Sequence, residues 1–123
     1  MKIHPDVLQV QSIKAYGPGW VQVGDERLTS SVVVTSHGGR FAWHCTRFED
    51  LSHEHFEQLA DLQTELVIFG SGTKLRFPPA GLTRALVERQ IGVETMDTPA
   101  ACRTYNILAA EGRRVAVALL LEP

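Results

Sequence analysis

The chain has 123 residues, 44% of them hydrophobic and 21% charged, with a formal net charge of -2 at pH 7. Those values describe a chain able to bury one core, and they exclude the disordered and fibrous classes. The slightly acidic balance carries no basic tail or stripe, which excludes the simplest kind of nucleic-acid binder, one that displaces counterions with clustered Lys and Arg.

The opening stretch "MKIHPDVLQVQS" places His4, Pro5 and Asp6 where a signal peptide needs an apolar run, and it is not an Arg- and Ser-rich transit peptide. From Leu8 to His44 the pattern is of short strands between turns: Leu8 to Tyr16, "GPGW", Val21 to Val23, "GDE", Leu28 to Thr35, "HGG" and Phe41 to His44. Imperfect alternation with Gly and Pro at hairpin spacing predicts an antiparallel layer.

The rhythm changes at Ser52. "SHEHFEQLADL" sets Phe56, Leu59 and Leu62 on one face and predicts a helix from Ser52 to Leu62, with Ser52 as N-cap. "ELVIFGSG" predicts a strand buried on both faces and ended by glycines, "PPAGLTRALVERQ" a helix entered through prolines, and "IGVETMD" a short strand. "TPAACRTYNILAAEG" predicts a helix ending at Gly112, and "RRVAVALLL" a final buried strand. The longest apolar run, "VAVALLL", is about a third of a membrane span. The expected fold is α/β, a compact single domain over 1–123, with an N-terminal antiparallel β layer packed with a mixed sheet and about three helices. Alternating strands and helices favour parallel strands. The loops "FGSGTK" and "ETMDT" should then share one sheet edge, where open α/β sheets bind ligands.

Three constellations carry chemical potential. Gly70, Ser71 and Gly72, followed by Lys74 and Arg76, could cradle an anion, but Leu75 stands where a dinucleotide fingerprint needs its third glycine and no phosphate-loop pattern occurs. The competing reading is a sharp turn that lets strand and helix approach closely. In "DTPAACRTYN", Thr98 reads as the N-cap, Pro99 as the first helical residue and Asp97 as a charge favoured near the helix start. Cys102 in the first turn beside Arg103 has the sequence context of an activated thiol, or else is a small buried hydrophobe. All five His precede residue 56, so a base would have to reach across the fold. Arg103 reads as a holder of carboxylate or phosphate, or as an ion-pair partner of Glu94 or Asp97. Tyr105 reads as core with its hydroxyl near the rim. In "WHC" and "HEH", His53 and His55 are two apart and face different ways, which argues against a metal site. Cys45 and Cys102, with no CxxC pair, frame neither a disulfide scaffold nor a zinc ribbon, which suits a cytoplasmic chain.

At "VIFGSGTKLRFPP", "IGVETMDTPAACRTYNIL" and "EGRRVAVALL" the sequence resembles the domain of unknown function 498 family, over about residues 10 to 120. That family includes the mitochondrial complex I assembly factor 3 and an adipogenesis-associated domain protein. Its recurrent residues match here as Gly70, Gly72, Pro79, Glu94, Met96, Thr98, Ala101, Arg103, Thr104, Tyr105 and Asn106. The resemblance implies a compact α/β domain, no established catalysis and no transferable chemical role for these residues. Without a presequence the chain looks like a free-standing bacterial-type member.

The expected function is a non-enzymatic binding or assembly-factor-like role with a protein partner, no nucleic acid and no cofactor, and with peripheral contact at a respiratory or other membrane complex as its widest extension. The expected recognition edge comprises Gly70, Ser71, Gly72, Lys74, Arg76, Glu94, Asp97, Thr98, Cys102 and Arg103. The alternative is a small enzyme or redox sensor using Cys102 in an anion-binding pocket.

Overall fold

The structure, a computed structural model, describes residues 11–123. The predicted strand start at Leu8 lies outside the described residues. Strand β1 (Ile13–Gly17) turns through Pro18 and Gly19 into β2 (Trp20–Val23), and β3 (Glu26–Leu28) completes a small antiparallel sheet in the order β1-β2-β3. Gly19 sits at φ 76°, a left-handed conformation that follows Pro18 as a two-residue turn requires.

The stretch expected as one strand from Leu28 to Thr35 is two strands in different sheets. Ser31 supplies the reason: its hydroxyl accepts from the Leu121 N–H and its carbonyl from the Trp43 N–H. The chain is thereby pinned to a second sheet before β4 (Val32–Thr35) begins. Strand β5 (Arg40–Ala42) pairs with β4, and β4 pairs antiparallel with β8 (Val115–Leu119), which lies parallel to β6 (Leu66–Gly70), itself parallel to β7 (Gly92–Met96). The five-stranded order is β5-β4-β8-β6-β7, the expected mixed sheet.

Every residue of β8 and β4 is buried, because both faces of this sheet are covered. On one side Ile13, Val21 and Val23 of the small sheet join Ala101, Tyr105 and Ala109 of helix α3 (Thr98–Ala110) over Val34, Ile68, Val117 and Leu119. On the other, α1 (His53–Ala60) and the short α2 (Arg84–Glu88) cover Val33, Val67, Phe69 and Ala118. Trp43, 2% exposed, makes edge contacts with Phe56 and Phe69 at ring separations of 6.1 and 6.0 Å. Burying three such rings together is worth several kcal/mol, at roughly 25 cal/mol per Å² of apolar surface.

Ser52 precedes α1 as expected. The helix ends two residues earlier than its apolar spacing implied, and Gln63 beyond it adopts φ 57°. His55 closes the first turn: the Ser52 N–H donates to its Nδ1 at 2.9 Å, and its Nε2 contacts the His44 carbonyl at 2.8 Å. An amide N–H can only donate, so Nδ1 is the acceptor and Nε2 carries the proton. Both ring nitrogens of His55 thus hold the α1 entry to the segment after β5.

Candidate functional site

The expected juxtaposition of loops at the sheet edge is present, and hydrogen bonds create it. The Ser71 N–H donates to the Met96 carbonyl at 2.8 Å, and the Thr98 N–H donates to the Gly72 carbonyl at 2.8 Å. The Gly72 N–H returns a bond to the Thr98 hydroxyl at 2.9 Å, which donates onward to the Leu120 carbonyl at 3.1 Å. Thr98 therefore clips three segments together, and the helix N-cap is one residue earlier than its spacing suggested. Asp97 caps, accepting from the Ala100 N–H at 2.9 Å.

The glycines serve close approach. A Cβ on Gly70 would lie 3.1 Å from Ala101, Leu119 and Thr98, and one on Gly72 would lie 2.9 Å from an Arg76 guanidinium nitrogen. Gly72 also holds φ 101°. The Ser71 hydroxyl, fully buried, donates to the Lys74 carbonyl at 2.6 Å and accepts from the Arg76 N–H at 3.0 Å. Its groups are turned inward, away from any ligand.

Arg76 is likewise committed. Its guanidinium pairs with the Glu122 carboxylate, donates to the Ser71 carbonyl and stacks over Phe48 at 4.6 Å. Burial tends to raise the Glu122 pKa, but bonds from Arg76 and the Phe48 N–H, together with the charges of Arg76 and Arg47, hold it below the ordinary value. The loop presents Thr73 and Lys74 outward.

Cys102 departs furthest from its chemical reading. It is fully buried between α3 and the sheet, and burial pushes its thiol up to about 12 despite the neighbouring Arg103 charge. Burial of this kind disfavours the thiolate that a nucleophile needs. Its burial sets it apart from the exposed residues of the candidate edge and speaks against its use as a nucleophile.

The rest of "CRTYN" ties α3 to the small sheet. Arg103 donates to the Tyr16 hydroxyl at 2.9 Å, forming neither of the ion pairs considered for it, with Glu94 or with Asp97, among the described residues. The Tyr105 hydroxyl donates to the Gln11 carbonyl at 2.8 Å, and burial raises its pKa. Asn106 accepts from the Ile13 N–H at 2.8 Å and donates to the Ile13 carbonyl at 2.9 Å. Glu94 remains exposed on β7.

These contacts frame a cleft of about 380 Å³ that sequence reasoning did not assemble. Its walls are the Tyr16–Gly19 turn, Thr73, Pro99 and the tail from Leu120 to Pro123. "GPGW" carried only a turn signal and the start of the tail only a strand signal, because their meeting depends on how the small sheet docks on α3. Arg103 stands beside the cleft through Tyr16, and Lys74 follows Thr73 at its rim. Among the described residues, no three or more His, Cys, Asp or Glu converge as metal ligands, and no helix is long and apolar enough to cross a membrane.

Fold and site define a small α/β domain whose sheet edge is closed by its own polar groups and opens into a mainly apolar cleft beside two exposed cations. The chain belongs to the family described as protein of unknown function (DUF498/DUF598), which matches residues 13–120. It is 34% identical over 83 residues to NADH dehydrogenase (ubiquinone) 1 alpha subcomplex assembly factor 3 of Bos taurus, covering 66% of this chain and 45% of that protein. The Homo sapiens protein of the same name is 27% identical over 120 residues, covering 96% of this chain and 65% of the relative. The chain thus spans between about half and two thirds of these curated relatives. A crystal structure of a Bordetella parapertussis protein superposes with a TM-score of 0.86 at 37% identity, covering 92% of this chain and 97% of that one.

Proposed function

We propose that the chain is a non-enzymatic, assembly-factor-like protein that holds a segment of a partner protein in the cleft between the Tyr16–Gly19 turn and the tail. The carrying observation is the cleft itself, whose apolar walls lie beside Lys74 and Arg103 while the Glu122 carboxylate in its wall is paired with Arg76. That arrangement suits an apolar segment bearing an acidic group at the rim, since exposed cations steer and orient an anionic partner. Relatedness to proteins named as assembly factors supports the partner-binding reading, and assembly of a respiratory or other membrane complex is its widest extension.

The test is affinity capture from soluble and membrane fractions of the native host, with wild-type chain and with Arg103→Ala and Lys74→Ala variants. A specific partner retained by the wild type and lost from both variants supports the reading. Recovery of nothing above background, or capture indifferent to both substitutions, sinks it.

A further inference from the structure

Strand β7 ends the five-stranded sheet, and among the described residues no strand pairs with its outer side. The Gly92 N–H donates to the Glu65 carbonyl and the Met96 carbonyl accepts from the Ser71 N–H, so both residues turn their backbone groups toward β6. In a parallel ladder these directions alternate residue by residue. Val93 and Thr95 therefore present an amide and a carbonyl each to the free edge. Edge strands are commonly blunted by proline, lysine, a bulge or extreme shortness. The sequence "GVETM" has five residues with neither Pro nor Lys, and its pairing with β6 runs in unbroken register.

A shallow groove of about 760 Å³ runs along this edge, walled by Phe77, Pro78, Thr83 and Val87 on the α2 side. Phe77 and Val87 are 68% and 65% exposed, two of the four large apolar side chains left in solvent among the described residues. Val93 packs with the α1 and α2 layer, whereas Met96 packs with the α3 layer. Alternation then puts Glu94 on the α3 face, exposed and in none of the ion pairs among the described residues.

We infer that β7 is a docking edge for an extended segment of a partner protein, which adds a sixth strand with apolar side chains toward Phe77 and Val87 and a basic side chain against Glu94. The inference rests on the chain being a partner-binding protein, but it uses a different face from the cleft. Five residues span roughly 17 Å at strand spacing, the footprint of one extended peptide rather than the roughly 1,200 to 2,000 Å² of a stable dimer. A second copy is further disfavoured by charge. The two-fold antiparallel register that uses both Val93 and Thr95 would set Glu94 directly opposite its own copy, where like charges repel.

The experiment is an NMR titration of the full isotope-labelled chain with two capped hexapeptides, one alternating valine with lysine and the other valine with glutamate. The basic peptide shifts the Val93 and Thr95 amides and slows their hydrogen exchange, and it binds up to about fivefold more tightly than its acidic twin, the range of one cross-strand charge pair. Glu94→Lys reverses that preference. Thr95→Pro, tolerated at an edge where the amide faces outward, removes binding, and Val87→Asp weakens it. Arg103→Ala leaves both titrations unchanged, which separates this edge from the cleft. The inference is overturned if neither peptide moves Val93 and Thr95, if both peptides act equally, or if the same amides become protected by self-association in sedimentation without peptide.

Discussion

Asn106 pairs with Ile13 as a neighbouring strand would, its amide side chain accepting from the Ile13 N–H and donating to the Ile13 carbonyl at 2.8 and 2.9 Å. One side chain of α3 thus satisfies both backbone groups of a residue that is 3% exposed. With Tyr105 on Gln11 and Arg103 on Tyr16, three residues in a run of four fasten the helix to the small sheet. Within "CRTYN", these three side chains join α3 to the small sheet.

Replacing Asn106 by Leu leaves the Ile13 N–H and C=O buried without partners. The expected loss is about 1 to 3 kcal/mol per stranded group, partly relieved by water entry. Urea denaturation measures it, and hydrogen exchange at the Ile13 amide should accelerate in the variant. Asn106→Asp keeps the acceptor and should fall between the two.

Cys102 should resist alkylation in the native chain. Burial pushes its thiol up to about 12, and burial likewise raises Cys45, whose sulfur donates to the Arg47 carbonyl at 3.1 Å. Iodoacetamide at mildly alkaline pH, followed by mass spectrometry, should give adducts only after denaturant is added. Rapid native labelling of Cys102 would return the thiolate reading to the field.

The Arg76–Glu122 pair makes stability sensitive to acid. The folded pKa of Glu122 lies below its ordinary 4.5, so the folded state binds the proton less readily than the unfolded chain. The stabilisation is complete above about 4.5 and is lost as the pH falls through the folded value. Glu122→Gln should be less stable than wild type at neutral pH, with the gap closing in acid. Denaturation curves at the two pH values check it.

Gly72→Ala should cost more than Gly112→Ala, although both positions have left-handed φ, 101° and 83°. A Cβ at Gly112 meets nothing within 4 Å, whereas at Gly72 it meets Arg76 at 2.9 Å and Glu122 at 3.2 Å. Backbone strain alone is worth about 1 to 3 kcal/mol, and the displaced ion pair adds to it. Thermal unfolding of the two variants gives the comparison.

Element types in the second half were legible because apolar runs and helical spacing report burial directly: "ELVIFG" contains the strand Leu66–Gly70 and "VAVALLL" the buried strand Val115–Leu119. The break between β3 and β4 was not legible. No Gly or Pro marks it, and the chain leaves one sheet for another because Ser31 is bonded to Leu121 and Trp43, residues distant in sequence or beyond a turn. Glycine at 70 and 72 was legible as close approach, since only a missing Cβ allows it. The uses of Arg76, Thr98 and Arg103 were not, because Glu122, Leu120 and Tyr16 lie 46, 22 and 87 residues away.

By itself the sequence determined the alternation of strands and helices, the mixed α/β class and the meeting of the "GSGTK" and "ETMDT" loops, all consequences of periodicity and of parallel strand direction. Only the tertiary structure decided which polar groups are spent inward and which remain outward. Local spacing says which residues share a face, but partners such as Tyr16 for Arg103 or Glu122 for Arg76 are chosen when distant segments pack. That packing turned Cys102 from a reactive candidate into core, and left the cleft beside Arg103 and the open edge of β7 as the surfaces to test.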